Sequence, residues 1–260
     1  MKLTPVDKGN IAFPHEIREI IRHADLYDSS SSPEARVYLA KDRCFIKRAA
    51  AGSLKREADM YSYFHKKGLS PEVLSYLTDG DCDWLITAIA KGDDCTAKKY
   101  LSNPKRLCDT TAAALRALHE TDFLDCPVQS RTQEYLDTAE QGYKRGIFSP
   151  ELFSGSFKIS SPEEAYKLLC EMKAEFRSDT LIHGDYCLPN IMLDGWRPTA
   201  FIDIGNGGVG DRHIDIFWGV WTLFFNLGTE KYTERFIDAY GKDAIIPDML
   251  KAVAAAEVFA

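Results

Sequence analysis

No stretch of this chain is apolar for long enough to cross a bilayer. The longest nearly unbroken run, IFWGVWTLFFNL at 216–227, is 12 residues long, against the roughly 20 a transmembrane helix needs. The opening MKLTPVDKGNIAFPH has no apolar segment behind its lysine, so no secretory leader is read there. Paired cysteine motifs are missing too: the seven cysteines (Cys44, Cys82, Cys95, Cys108, Cys126, Cys170, Cys187) are odd in number, scattered and without a CxxC. That excludes a disulfide framework and a cysteine zinc site and fits a reducing compartment, so a soluble, cytoplasmic protein is expected. Positive charge is short, with 32 Lys and Arg against 39 Asp and Glu and a formal net charge of −7. This balance argues against a nucleic-acid backbone as partner. It suits a cationic small substrate, as it suits plain solubility.

What is present is a chain of 260 residues, 45% hydrophobic, enough for one large domain or two lobes. The first 90 residues read as mixed α and β. HEIREIIRHADL has helical spacing, YDSSSSPEA is loop chemistry, and RVYLAKDRCFIKR reads as two short strands joined at Lys41 and Asp42. SLKREADMYSYFHKKG reads as a helix; PEVLSYLTD and DWLITAIAKG read as strands, the second buried on both faces. Beyond Gly92 the character turns helical, in PKRLCDTTAAALRALHET, RTQEYLDTAEQGYKRG and PEEAYKLLCEMKAEF, which places a hinge at AIAKGDDC. The only clear strand pair of this second part is a hairpin around Asp194 and Gly195.

The chemistry concentrates in LIHGDYCLPNIMLDGWRPTAFIDIG, residues 181–205, where His183, Asp185 and Asn190 form H-x-D-x-x-x-x-N and Asp203 opens Asp-Ile-Gly. Between Asn190 and Asp203 the pattern is apolar strand, Asp-Gly turn, apolar strand. A hairpin folds back on itself, so its entry and exit residues end side by side, with Asp185 in the loop just before. The apolar framing predicts burial, and buried carboxylates are costly unless paired, which calls for a cation. Hard Mg²⁺ takes oxygen ligands and keeps water and phosphate oxygens, so Asn190 and Asp203 suffice to hold it while Asp185 accepts the proton of an attacking hydroxyl.

HGDYCLPNIM resembles the catalytic loop of the aminoglycoside 3′-phosphotransferase family, with Gly184 where protein kinases usually carry Arg. SPEARVY is similar to that family's nucleotide-positioning loop, FIKR to its lysine strand, KREADM to its glutamate helix and EVFA to its substrate-binding tail. The resemblance implies an α+β, bilobal protein-kinase-like fold. A small N-terminal lobe with an antiparallel sheet, residues 1–90, would bind nucleotide, and a larger, mainly helical C-terminal lobe, residues 91–260, would carry catalysis and substrate. It implies an ATP-dependent kinase acting on an aminoglycoside hydroxyl, the 3′-hydroxyl first, and giving resistance; GTP is not excluded. Asp185 would be the catalytic aspartate, and Asn190 and Asp203 the Mg²⁺ ligands. Lys47 would contact the α- and β-phosphates with Glu57 as its ion-pair partner, Phe45 would stack on adenine, Ala88 and Ala90 would supply hinge backbone contacts, and Ser32 would touch phosphate. Glu151, Glu257 and Phe259 would contact substrate. The implied partners are a nucleotide and a small molecule, with no nucleic acid, no membrane and no obligatory protein.

Other readings compete. GNGGVG at 205–210 satisfies G-x-G-x-x-G after a strand, but Asp203 would aim a carboxylate at a pyrophosphate, and the 50 residues that follow are too few to complete a doubly wound sheet. His183 reads as a packed structural histidine rather than a metal ligand, Asp211 as a helix cap and Asp215 as a partner of the catalytic-loop backbone. The acidic pocket of the resemblance is thinned: Trp221 and Phe225 stand where relatives tend to carry Arg and Glu, Asn206 where many have Arg, and Ala260 follows Phe259. FWGVWTLFF reads as buried core in preference to an aromatic substrate wall. The thinning leaves as alternative a kinase of the same fold acting on another hydroxylated metabolite or antibiotic.

Overall fold

The alternation of buried and less buried residues in FIKR and its neighbours builds a sheet with two distinct faces. The structure, a computed structural model that describes residues 3–150 and 157–260, divides into two units, Met1–Lys91 and Gly92–Ala260. In the first, β1 (Thr4–Pro5), β2 (Leu26–Asp28), β3 (Ala35–Ala40), β4 (Cys44–Ala50), β5 (Val73–Asp79) and β6 (Cys82–Ala88) form one antiparallel sheet in the order β1-β2-β3-β4-β6-β5. The β3–β4 hairpin turns at Asp42, whose φ of 59° lies in the left-handed region where Asp is among the tolerated residues. Cys44 and Ile46 point into a core made with Phe13, Ile17, Ile21, Trp84 and Ile86, part of it from α1 (His15–Ile20). By the period of two, Phe45 and Lys47 take the other face.

The helix expected over 15–26 stops early. Lys8 Nζ donates to the carbonyls of Ile21, Arg22 and Ala24 at 3.2, 3.2 and 2.8 Å, which engages carbonyls at the helix end. Leu26, Tyr27 and Asp28 then pair with Ala40, Leu39 and Tyr38 as a strand where loop had been expected, because the edge of β3 is there to be paired. The following helix, α2 (Lys55–Lys66), buries Glu57, Tyr61 and Phe64 along one stripe. Its start is fixed from the sheet: the Leu54 N–H donates to Asp83 Oδ2 at 3.0 Å, and the same carboxylate accepts from Tyr76 and Thr78.

In the second unit the helices are α3 (Lys98–Leu101), α4 (Pro104–His119), α5 (Arg131–Lys144), α6 (Pro162–Met172), α7 (Arg212–Leu227), α8 (Thr233–Tyr240) and α9 (Pro247–Glu257). Leu107, Leu115, Leu118, Phe217, Val220, Leu223, Phe236 and Val253 are buried among them. The expected hairpin is β9 (Ile191–Asp194) with β10 (Arg197–Phe201), but it is not the unit's only pairing. The two-residue β7 (Asp93–Asp94) adds to β9, and β8 (Thr180–Ile182) pairs with β11 (Gly208–Gly210). Strands this short, one of them two-thirds glycine, carry no readable alternation. Among the described residues no helix is long and apolar enough to cross a membrane.

Candidate functional site

The hairpin turn positions everything that follows it. Gly195 and Trp196 both have positive φ, 56° and 81°, the geometry of a tight primed turn whose twist matches its strands. Trp196 is held there by Tyr100, edge-on at 5.0 Å, and by the Arg106 guanidinium 4.6 Å over its ring. At the open end, Phe201 pairs with Ile191, and the Ile202 N–H donates to the Asn190 carbonyl at 3.0 Å. The ladder therefore runs past the strands into the loop, and Asp203 is the next residue. Its φ of 57° is an uncommon state for a side-chain-bearing residue, of the kind that recurs at functional sites.

Asp185 is fixed from several sides. Asn190 Nδ2 donates to its carboxylate Oδ2 at 2.9 Å and to its carbonyl at 3.0 Å. With that nitrogen engaged, Oδ1 is the polar atom the Asn190 side chain has left to offer. The Asp185 N–H donates to His183 Nδ1 at 3.2 Å, so the ring proton sits on Nε2, which donates to the Ile202 carbonyl at 3.0 Å. His183, fully buried, thus ties the loop to the strand leading to Asp203 rather than meeting a metal.

Behind the loop lies Asp215, on the first turn of α7. Its two oxygens accept the His183 and Gly184 N–H groups at 2.6 and 2.7 Å, and His119 Nε2 lies 3.1 Å away. His119 Nδ1 in turn meets the Tyr240 hydroxyl at 2.8 Å. The apolar framing of 181–205 had led to an expectation of buried carboxylates calling for a cation. Here Asp203 is exposed and Asp185 half-buried; the carboxylate buried behind the loop is Asp215, whose oxygens accept N–H donors. Sequence reasoning missed His119 and Tyr240, because nothing local links them to a loop some 60 residues away. Burial holds the His119 pKa below the ordinary histidine value, against the opposing pull of Asp215.

Gly184 has φ of 83°, and a Cβ there would come within 2.0 Å of the Asn206 carbonyl oxygen, so no side chain fits. The GNGGVG segment packs equally tightly, since a Cβ on Gly208 would meet Val128 at 2.7 Å. The N-terminus of the helix that follows is capped by Asp211, which accepts from the His213 N–H at 2.8 Å. A carboxylate in that place excludes a pyrophosphate. The Cys187 thiol is pushed far up in pKa by burial and then by Asp185, so it is no nucleophile.

In the first unit, Lys47 Nζ lies 3.0 and 2.8 Å from the two Glu57 oxygens. Glu57 is 6% exposed. Phe45, half-buried, shares the face of Lys47 and pairs with Leu39 and Thr87. The Ala88 N–H donates to the Glu72 carbonyl at 2.9 Å, which takes it out of any nucleotide contact, and Ala90 lies past the end of β6. The Ser32 hydroxyl accepts from the Ala35 N–H at 3.2 Å and so closes a turn ahead of β3.

Of the expected substrate contacts, Glu257 ends α9 and accepts from the Trp218 indole N–H at 3.0 Å. Burial raises its pKa to about 7, with the Tyr135 and Trp218 hydrogen bonds working against the rise and the Asp185 charge adding to it. Phe259 departs from its expected role. Its ring is 1% exposed and packs against Tyr143 and Phe148 at 5.4 and 6.3 Å, so it faces the interior rather than a ligand. Glu151 lies outside the described residues. The helix read as core is also two-sided, with Phe217, Val220 and Leu223 buried, Trp218 and Trp221 half-buried, and Phe225 65% exposed.

A carboxylate presented on a braced loop, with an amide and a second carboxylate at the end of the next hairpin, defines a kinase-like phosphotransferase. The comparisons agree. A model of the phosphotransferase enzyme family matches residues 30–253. The chain is 48% identical over 250 residues, 95% of each chain, to the "Probable aminoglycoside 3'-phosphotransferase" of Lactococcus lactis subsp. lactis (strain IL1403). It is 28% identical to an aminoglycoside 3'-phosphotransferase of Niallia circulans over 76% of each chain. Among solved structures, aminoglycoside phosphotransferase APH(3'')-Id from Streptomyces rimosus ATCC10970 superposes with a TM-score of 0.77 at 23% identity, covering 94% of this chain and 95% of its own. The type VIII aminoglycoside-3'-phosphotransferase gives 0.70 at 23% identity, over 95% and 100%. The chain belongs to the phosphotransferase enzyme family, and its fold is the α+β, protein-kinase-like one of the aminoglycoside phosphotransferases.

Proposed function

We propose that the protein transfers the γ-phosphoryl group of ATP to a hydroxyl of an aminoglycoside, the 3′-hydroxyl first, and so confers resistance. The observation that carries this reading is the grip of Asn190 on both the carbonyl and the carboxylate of Asp185. It stands in a chain 48% identical, over nearly all its length, to a relative named for that activity. Asp185 is the group that orients the acceptor hydroxyl and takes its proton as the acceptor oxygen bonds to the γ-phosphorus and the bond to the leaving ADP breaks. General-base help of this kind is worth roughly 10²- to 10⁴-fold. Lys47, held by Glu57, binds the α- and β-phosphates; Phe45 stacks on the base; the Ala88 carbonyl and the Ala90 backbone meet its edge. Those backbone contacts do not by themselves reject GTP.

The donor set suits Mg²⁺. Asn190 offers an amide oxygen and Asp203 an exposed carboxylate at the open end of one hairpin, hard oxygen ligands that leave room for phosphate and water. Among the described residues no group of three or more His, Cys, Asp and Glu forms a rival metal centre. When bound, the ion neutralises charge on the phosphates.

The test is ADP release by purified protein with ATP, Mg²⁺ and an aminoglycoside panel. Turnover is expected with members bearing a 3′-hydroxyl and not with their 3′-deoxy counterparts; no release above the acceptor-free rate with any member overturns the proposal. One observation favours a second reading, a kinase of the same fold for another hydroxylated metabolite or antibiotic: the exposed Phe225 on α7. Turnover of a non-aminoglycoside alone would select it.

A further inference from the structure

Asp203 stands in the left-handed region, with φ of 57°, a conformation that persists only where the surroundings over-determine it. On its N-terminal side the hairpin does this, through the Ile202 N–H on the Asn190 carbonyl. On its C-terminal side the chain turns before it reaches β11, and the Gly207 N–H donates to the Ile204 carbonyl at 3.0 Å. That bond closes the turn without fixing where the turn sits.

The seat comes from α5. Arg131 Nε donates to the Asn206 carbonyl at 2.8 Å, across 75 residues of sequence. The same carbonyl oxygen lies so close to Gly184 that a Cβ there would come within 2.0 Å of it. One peptide group of the turn is thus pressed between Arg131 and the residue before Asp185, and Gly184 brings no side chain to hold it. The segment ahead of α5 runs alongside: the Val128 carbonyl accepts the Val209 N–H at 2.7 Å, and a Cβ on Gly210 would lie 3.5 Å from that of Arg131.

Arginine is a costly choice at this position. It opens α5, where the helix dipole disfavours a cation. Its ion pair with Glu134 is long, 3.8 Å, with the glutamate 43% exposed, and offsets little. What the residue gains there is a charged N–H on a carbonyl, a bond roughly twice as strong as a neutral one, made by a side chain only 13% exposed.

We infer that Arg131 is a positioning residue for Asp203: by seating the 204–207 turn on Gly184 it holds the Asp203 carboxylate beside Asn190 and so sets the affinity of that pair for Mg²⁺. The inference rests on the proposed function in taking Asp203 as a ligand of the ion. Two variants of equal side-chain length isolate the bond. Glutamine places its amide nitrogen where Arg131 has Nε, methionine places a methyl group there, and both lose the charge. Arg131→Met is expected to raise the Mg²⁺ concentration for half-maximal ADP release about tenfold, the low end of what partners that orient metal ligands are worth, with KM for the acceptor within about twofold of wild type. Arg131→Gln is expected to restore the Mg²⁺ dependence to within about threefold of wild type. Equal Mg²⁺ dependence in the two variants, or unfolding of Arg131→Met at the assay temperature, overturns the inference. If no acceptor turns over, the proposed function falls. Mn²⁺ binding beside a non-hydrolysable ATP analogue, followed by electron paramagnetic resonance, then decides the inference together with hydrogen exchange over 203–209 in metal-free protein. Weaker Mn²⁺ binding by about tenfold and faster exchange in Arg131→Met than in Arg131→Gln support it. No Mn²⁺ binding by the wild type, equal affinities or equal exchange overturns it.

Discussion

Asn190 Nδ2 sits 2.9 Å from Asp185 Oδ2 and 3.0 Å from the Asp185 carbonyl oxygen, so one amide group fixes both the backbone and the side chain of a single residue. Asn190→Ala releases the carboxylate, and Asn190→Asp replaces the donor with a like charge beside it. Both variants should lose at least about tenfold in kcat, and Asn190→Asp should in addition show a raised pKa on the acidic limb of its rate profile. Steady-state rates from pH 6 to 9 check this. An Asn190→Ala rate equal to wild type would remove the amide from the mechanism.

Lys47 and Glu57 form a partly buried pair, with the lysine side chain 22% exposed and the glutamate 8%. Breaking a fully buried pair costs about 3–5 kcal/mol, and the lysine's exposure lowers this to about 1–3 kcal/mol. Glu57→Gln should therefore shift the denaturant midpoint modestly while raising KM for ATP by about tenfold or more. A change in stability with KM for ATP unmoved would make the pair purely structural.

Asp215 gives the loop its rigidity, and His119 links that rigidity to pH. A buried histidine whose folded pKa is depressed contributes stability that is present above its unfolded value, near 6.5, and is lost as pH falls through the folded one. Urea midpoints of the wild type should decline below about pH 6.5, and those of His119→Gln should decline less. Asp215→Asn leaves one of the two loop N–H groups facing a donor, a cost of about 1–3 kcal/mol, and should lower kcat with little change in either KM.

Glu257 titrates near neutrality, with a pKa of about 7 raised by burial. As pH climbs from 6 to 8 the carboxylate ionises, so KM for an ammonium-bearing acceptor should fall. The stability sign is opposite: a carboxyl with a raised folded pKa gives stability that is full below its unfolded value and is lost as pH rises through about 7. Glu257→Gln should flatten the KM profile and gain thermal stability relative to wild type at pH 8. A wild-type KM independent of pH would take Glu257 out of the acceptor site.

What the sequence disclosed, and what it hid, follows from range. Asp185, Asn190 and Asp203 lie within 19 residues, and the hairpin that joins them is written in its own alternation and turn, so their convergence was legible. The Lys47–Glu57 pair, ten residues apart, came from the likeness of FIKR and KREADM to the family's lysine strand and glutamate helix rather than from local pattern. His119 reaches Asp215 across 96 residues and Tyr240 reaches His119 across 121, and neither left a local signal. Strands of two or three residues, β7, β8 and β11, are too short for a period. Hydrophobicity marked α7 without saying which of its aromatic residues face out: Phe217 went inward and Phe225 outward. Phe259, expected at a ligand, is packed inside because Gly142 lets its backbone come so close that a Cβ there would lie 1.9 Å from the Phe259 oxygen.

The central claim is that Asp185 meets the acceptor and not the nucleotide. The most direct measurement pairs acceptor-dependent ADP release with calorimetric ATP affinity for Asp185→Ala. The account predicts turnover reduced by roughly 10²- to 10⁴-fold with nucleotide affinity within about threefold of wild type. Retained turnover, or nucleotide affinity lost along with it, would contradict the account.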